Sequence, residues 1–186
     1  MMGPKRLDAN LPEFKKLGNT DVQFQLLNDD QKPLKKRDYV FIDEGGNLHT
    51  VQERFRESQY AIYSDFTIRY RRDQNSHAER VQSEYYKMEA DYFTYGITNC
   101  SKDNITLCTQ FQKVAIIDLN KVYEKIDSGE IIIRDNGRNT CRIINSNTIE
   151  CPVKYNRDGS SSFFPIEIQF LIQLWGEEMV IYNSGF

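Results

Sequence analysis

The stretch Tyr39–Arg56, YVFIDEGGNLHTVQERFR, carries the strongest structural signal in the chain. It opens with four β-prone apolar residues, Tyr39–Ile42, and continues into Gly45-Gly46-Asn47. These residue types readily adopt the positive φ angles that a tight turn requires. Polar and apolar residues then alternate over Leu48–Arg56, which is typical of a strand with two different faces. The stretch predicts a β-hairpin on which the rest of the fold is organised.

The hairpin also places polar groups where chemistry is possible. Asp43 ends the first strand, and a period of two puts Gln52 and Arg54 on one face of the second strand, with Glu53 on the other. Converging side-chain oxygens bind divalent cations, and a neighbouring cation stabilises charge on a phosphate. We therefore predict Asp43 and Gln52 as metal ligands, with Arg54 completing a catalytic set. The alternative is that Asp43 is ordinary turn chemistry and that Gln52 and Arg54 belong to a solvated face.

The acid, short turn and Gln52-x-Arg54 strand resemble the acid…[E/Q]-x-K core of the PD-(D/E)XK nuclease superfamily, the fold of many restriction endonucleases. The segments EADYFTYGI (89–97) and KVAIIDL (113–119) fit the same pattern, so that the resemblance covers roughly residues 38–130. It implies a Mg²⁺- or Mn²⁺-dependent DNA endonuclease, encoded by a phage or mobile element, that works as a homodimer. In such proteins the acid and the Glu or Gln hold the metal, and the Lys activates water.

Two positions depart from the family pattern. Arg54 stands where the family has Lys, and Arg stays protonated and cannot accept a proton. Gln52 stands where Glu is more usual, so a metal site would hold one fewer negative charge. These departures keep a second hypothesis open: a catalytically silent protein on the same scaffold that binds nucleic acid or inhibits a nucleic-acid-processing protein partner.

Basic residues flank the hairpin on both sides and are predicted to contact nucleic-acid phosphates, since the guanidinium fork of Arg matches phosphate geometry. The predicted nucleic-acid-binding residues are Lys35, Lys36, Arg37, Arg56, Arg69, Arg71 and Arg72. The formal net charge of −3 argues mildly against a protein that coats long stretches of DNA. The other interpretation is a strand whose charges discourage edge pairing.

Composition indicates a globular protein in a reducing compartment. The 186 residues include eleven Tyr and eleven Phe, enough large apolar side chains for a core. The first ten residues lack an apolar signal segment and no run is long enough to cross a bilayer, so a cytoplasmic location without membrane contact is expected. Four cysteines are expected to be free, buried thiols, with a Cys100–Cys108 bridge as the alternative.

The predicted fold is α/β or α+β: a single domain over 1–186 with a mixed central sheet flanked by helices, a core over about 20–130 and a β-rich extension over 131–186. Asp118 caps a helix that Gly129 ends. The remaining predictions are strands over 60–72, 90–98 and 113–117, a meander over 130–155, a strand or helix over 163–175, and a loose C-terminal NSGF.

Two further acids are paired with lysines by their spacing. Glu84 and Lys87 are expected to form an exposed pair on a helix surface. Glu150 and Lys154 form another acid–lysine arrangement, which ranks below the hairpin as a site because Pro152 interrupts the strand.

Overall fold

The computed structural model describes residues 39–43, 45–71, 83–101, 108, 110–159 and 161–186. These residues form an α+β protein that consists mostly of strands. Lys35, Lys36, Arg37 and Arg72 lie outside the described residues. The strands are β1 (Tyr39–Ile42), β2 (Leu48–Arg56), β3 (Asp65–Arg71), β4 (Tyr92–Thr98), β5 (Phe111–Asp118), β6 (Ile131–Arg134), β7 (Arg142–Asn145), β8 (Thr148–Pro152), β9 (Lys154–Tyr155), β10 (Ser162–Glu167) and β11 (Val180–Ser184). The helices are α1 (Glu84–Lys87), α2 (Leu119–Asp127) and α3 (Ile168–Trp175), with 3₁₀ turns at Ser58–Ile62 and Gly176–Glu178.

The strands form three sheets where the sequence predicted one central sheet. Their orders are β1-β2-β4-β5-β11, β3-β10-β9 and β6-β8-β7. The chain also divides into two compact units that interleave in sequence. The first contains the hairpin, Glu89–Ile117 and Ile181–Phe186, and the second contains Tyr63–Met88 and Asp118–Val180. The single domain over 1–186, with its core over about 20–130, stays a prediction.

The hairpin predicted from the sequence is confirmed. β1 and β2 pair antiparallel from Tyr39 opposite Val51 to Ile42 opposite Leu48. The turn between them closes with Gly46 at φ 83°, a conformation that glycine adopts without steric cost. The Gly46 amide donates to the Asp43 carbonyl over 2.9 Å.

The return strand β2 then pairs parallel with β4, so that the five-stranded sheet is mixed. Two residues fix the start of this pairing. The backbone amide and the hydroxyl of Thr50 both donate to the Asp91 Oδ2 atom, over 2.8 and 2.9 Å. The Asp91 amide in turn donates to the Thr50 carbonyl over 2.9 Å. This reciprocal set holds the register that pairs Gln52 with Phe93 and Arg54 with Tyr95.

Strand β11 corrects the prediction of a loose C-terminal tail. Val180–Ser184 is the outer strand next to β5 in the five-stranded sheet. The Phe186 ring lies 5.7 Å from the ring of Tyr95, which is fully buried. The short polar sequence NSGF hides this contact, because a single aromatic residue at a chain end carries no periodic signal.

In the second unit, β3 pairs antiparallel with β10, and α1 packs against β3. Glu84, at the start of α1, is only 3% exposed, and its Oε2 atom accepts a hydrogen bond from the Arg69 amide over 2.9 Å. The prediction of an exposed acid–lysine pair is therefore wrong for Glu84. The strand predicted over 60–72 begins only at Asp65, after the 3₁₀ turn.

The segment predicted as a strand or a helix is both. Ser162–Glu167 is β10, and the chain turns directly into α3 at Ile168. The apolar content continues through both elements because both contribute to the core: Phe164, Ile166, Ile168 and Leu171 are fully buried. The predicted meander is also corrected, since β6 pairs parallel with β8 and only β7 pairs antiparallel with it.

Helix α2 agrees with its sequence signals at both ends. The Asp118 Oδ1 atom accepts from the Lys121 amide over 3.1 Å, which caps the first turn. Gly129, just past the last turn, has φ 79°. Leu119 and Val122 are buried, as the helical spacing predicts.

We expect Asp118→Ala to lower the free energy of unfolding by about 1 kcal/mol, because an amide of the first helical turn loses its acceptor. Urea denaturation followed by circular dichroism measures the change. Asp118→Asn is the matched control, since asparagine caps about as well as aspartate. Equal losses in both variants would show that the cap does not stabilise the helix.

Candidate functional site

Asp43 is bound closely into the turn that follows β1. Its Oδ1 atom accepts from the Asn47 amide over 2.8 Å, and its Oδ2 atom accepts from Asn47 Nδ2 over 3.0 Å. Oδ2 also lies 3.0 Å from His49 Nε2. The hydrogen bond with His49, followed by those with Asn47, holds the pKa of Asp43 well below its usual range. The carboxylate thus closes the hairpin turn, as the turn interpretation predicts.

The hairpin does not bring Asp43 and Gln52 together. The antiparallel register continues from Ile42 opposite Leu48 to Asp43 opposite Asn47, on the face that carries His49. Gln52 lies on the other face of β2 and five residues further along, a separation of roughly 16 Å along the strand. Two ligands of one Mg²⁺ must each reach to about 2 Å from the ion. Asp43 and Gln52 as a pair do not fit a shared metal ion.

The described acids, histidines and cysteines do not supply another metal site either. Among the residues that the structure describes, no three of these side chains are grouped so that they could hold one metal ion. The Gln52 Oε1 atom is buried and has no hydrogen-bond partner among the described residues. Gln52 is therefore the member of the predicted metal site that has an unused acceptor. Asp43, the other predicted ligand, lies on the opposite face of the hairpin.

The face of β2 that carries Gln52 is built from arginines lying over aromatic rings. The Arg54 guanidinium carbon is 5.6 Å from the centre of the Phe93 ring. That of Arg56 is 5.2 Å from the Tyr60 ring and 5.8 Å from the Tyr95 ring. All three distances lie within the range of cation–π attraction. The parallel register of β2 and β4 sets this arrangement, since it aligns Arg54 with Tyr95.

Phe186, at the C-terminal end, and Lys113 on β5 extend this face. Phe186 packs on Tyr95, and the Lys113 Nζ atom lies 5.4 Å from the centre of the Phe186 ring. Cations and rings therefore form one connected surface, which we call the cationic strip. Its residues are Arg54, Arg56, Tyr60, Lys113 and Phe186.

Sequence reasoning found only part of the strip. Arg56 was predicted to bind nucleic acid, and Arg54 was predicted beside it as a phosphate-stabilising group. Lys113 and Phe186 were missed, because no local pattern joins them to β2. The alternation of small polar and large aromatic residues in β4 was the available signal for the rings beneath the arginines.

Two further predicted nucleic-acid-binding residues lie among the residues that the structure describes. Arg69 and Arg71 lie on β3, which belongs to the second unit, and the Arg69 side chain is exposed. Their part in nucleic-acid binding stays a prediction. The Arg69 amide, by contrast, has the structural role of donating to Glu84.

All four cysteines are free, as predicted. Only Cys151 is buried, whereas Cys100, Cys108 and Cys141 are partly exposed, which corrects the expectation that all four are core residues. A hydrogen bond with Cys108, and then burial, raise the pKa of Cys100, so that this thiol is a weaker nucleophile than an ordinary one.

No family model matches the chain, and no curated protein or solved structure is significantly similar to it. In the described part of the chain, no helix is both long and apolar enough to cross a membrane. What the chain does must therefore be inferred from its own residues.

The lowered pKa of Asp43 makes a stability contribution that depends on pH. A carboxyl whose pKa is lower in the folded state stabilises the fold above its unfolded pKa of about 3.9. That contribution declines as the pH falls towards the folded pKa. We expect Asp43→Asn to lower the melting temperature at pH 7 and to have a smaller effect at pH 3. Thermal denaturation at both values measures this, and an equal loss at pH 7 and pH 3 would contradict it.

Proposed function

We propose that the chain is a restriction-endonuclease-like protein that has kept nucleic-acid binding and does not cleave, with the cationic strip as its binding surface. The observation that carries the proposal is the stacking of Arg54 and Arg56 over rings on one face of β2 and β4. Phosphates and bases both find partners on such a surface, because guanidinium groups bind phosphates and aromatic rings stack with bases.

The rings under the arginines favour binding by limiting arginine motion. Phe93 and Tyr95 are fully buried, so they provide fixed platforms. An arginine held over such a platform loses less rotamer entropy when it contacts a phosphate than a free surface arginine does. Tyr60 is 36% exposed and offers a ring edge or face to an unstacked base. These features favour a single strand over a duplex, whose bases are already stacked.

The residues of this face support the binding of nucleic acid better than its cleavage. The carboxylate of Asp43 is engaged by Asn47 and His49 on the opposite face of the hairpin from Arg54. Arg54 stays protonated at neutral pH and cannot accept a proton from water. Gln52 is the only oxygen donor of the predicted set on the arginine face. Together these residues recognise charge without supplying an acid and a base.

The first test is the salt dependence of binding to a fluorescent single-stranded oligonucleotide. Each phosphate contact contributes about 0.7 to the slope of log affinity against log salt for single strands. We expect Arg54→Gln with Arg56→Gln to reduce that slope by about 1.4 and to weaken binding about tenfold or more, measured by fluorescence anisotropy.

Arg157→Gln is the matched control, because Arg157 is an exposed arginine of the second unit. It removes one arginine charge outside the strip, against the two removed by the double variant, and is expected to leave the slope unchanged. Binding that is insensitive to salt, or an equal loss in the control, would overturn the proposal.

The second test addresses cleavage directly. We expect plasmid DNA to stay intact with the wild-type protein in the presence of Mg²⁺ or Mn²⁺, because Asp43, the acid of the predicted catalytic set, lies on the opposite face of the hairpin from Gln52 and Arg54. Agarose gels of supercoiled and nicked DNA measure this. Cleavage that is present in the wild type and absent from both Asp43→Ala and Gln52→Ala would restore the endonuclease hypothesis.

A further inference from the structure

A second arrangement of charges lies in the sheet β6-β8-β7 and has a buried acid at its centre. The Glu150 side chain is 2% exposed, and three arginines surround it. The Glu150 Oε1 atom lies 3.1 Å from Arg142 Nε and 3.7 Å from Arg138 Nε, and Oε2 lies 3.4 Å from Arg134 Nη1. Asn136 Nδ2 also donates to Oε1 over 3.1 Å.

Strand register and one loop bring these groups together. Arg142 on β7 lies directly opposite Glu150 on β8. Ile132 on β6 is the other neighbour of Glu150, which puts Arg134 two residues further along on the same face. Arg138 comes from the loop between β6 and β7, where its amide donates to the Asn136 side chain over 3.2 Å. Three separate segments thus converge on one carboxylate.

The sequence offers a signal for this cluster in retrospect. An acid within the apolar run TIECPV must be buried, and buried acids need cationic or hydrogen-bonding partners. Arginines recur every fourth position in the nearby RDNGRNTCR. The acid–lysine arrangement of Glu150 and Lys154 ranked below the hairpin as a site, and the ion pairs of Glu150 are with the three arginines.

The three arginines carry more hydrogen-bond donors than the buried acid uses. The hydrogen bond from Arg142 lowers the pKa of Glu150 against the effect of burial, and the hydrogen bond from Asn136 and the charges of Arg142 and Arg134 lower it further. The three guanidinium groups carry five N–H donors each, and only Arg142 Nε makes a hydrogen bond of good geometry to Glu150. Most donors of the cluster are unused within the described residues.

The acid and the arginines also differ in their exposure to solvent. Glu150 is buried, whereas the side chains of Arg134, Arg138 and Arg142 are 58%, 53% and 46% exposed. A ligand arriving from solvent meets guanidinium groups and not the carboxylate. Asp135, next to Arg134 in the chain, is engaged separately, since its Oδ2 atom accepts a hydrogen bond from the Tyr155 hydroxyl. The three arginines and Glu150 together carry a net charge of +2.

From this geometry we infer that Arg134, Arg138 and Arg142 form a binding site for a phosphate-class oxyanion, with Glu150 as the buried group that positions the guanidinium groups. Guanidinium donors match the oxygens of a phosphate, and the buried carboxylate gathers the three guanidinium groups within 3.7 Å of itself, so that they converge at one place. The site does not rest on the cationic strip, which belongs to the other unit.

The test uses the full-length protein and inorganic phosphate as the probe. We expect phosphate to raise the melting temperature saturably, compared with sodium chloride at equal ionic strength. Arg138→Gln is the informative variant, because Glu150 keeps its hydrogen bonds from Arg142 and Asn136 and the fold is retained. It should raise the apparent Kd for phosphate about tenfold, the loss expected for one charge-assisted contact.

Arg157→Gln is again the matched control and should leave the phosphate Kd unchanged. Nitrogen-15 NMR provides a second readout that does not depend on stability: phosphate should shift the Nε–H signals of Arg134, Arg138 and Arg142. No phosphate-specific rise in melting temperature, no shift of these signals, or an equal loss in Arg157→Gln would each overturn the site.

A further arm distinguishes free phosphate from a terminal phosphate on nucleic acid. In the Arg54→Gln, Arg56→Gln background, oligonucleotides with and without a 5′-phosphate are compared. A gain in affinity that depends on the 5′-phosphate and on Arg138 identifies a nucleic-acid end as the source. A site that binds inorganic phosphate with no such gain takes the free anion.

Discussion

The parallel pairing of β2 with β4 is the constraint on which the first unit depends. Thr50 and Asp91 exchange hydrogen bonds at its start and thereby fix which side chains of the two strands are neighbours. With this register Arg54 lies beside Tyr95, and a slip of one residue would turn every arginine of β2 to the opposite face. The cationic strip is therefore a consequence of backbone pairing that is fixed at some distance from the arginines themselves.

Glu150 has a comparable position in the second unit. A carboxylate with 2% exposure would be costly alone, so the surrounding strands and loop must supply cations and an amide to it. Pairing that one group with cations brings three segments together and leaves arginines at the surface with unused donors. The two units thus each present cations to solvent, but by different means: aromatic platforms in one and a buried acid in the other.

Much of the local structure could be predicted from residue patterns. The hairpin, the buried strand β4 and the capped helix α2 follow from alternation, turn residues and helical spacing. The predictions were wrong where residues far apart in sequence determine strand pairing or burial. The parallel pairing of β6 with β8 and the sheet position of β11 depend on such neighbours. The burial of Glu84, which accepts from an amide of β3, is a third example.

The stretch YVFIDEGGNLHTVQERFR shows which features the local sequence determines and which depend on the tertiary structure. The sequence by itself determined that it forms a hairpin and that Gln52 and Arg54 share a face, because backbone period and turn chemistry are local. Only the tertiary structure decided which groups lie beside those residues. The hairpin register places Asp43 beside His49, on the opposite face from Gln52 and Arg54. The pairing with β4 places aromatic rings beneath the arginines. Convergence in space depends on which strands become neighbours, and no local pattern contains that information.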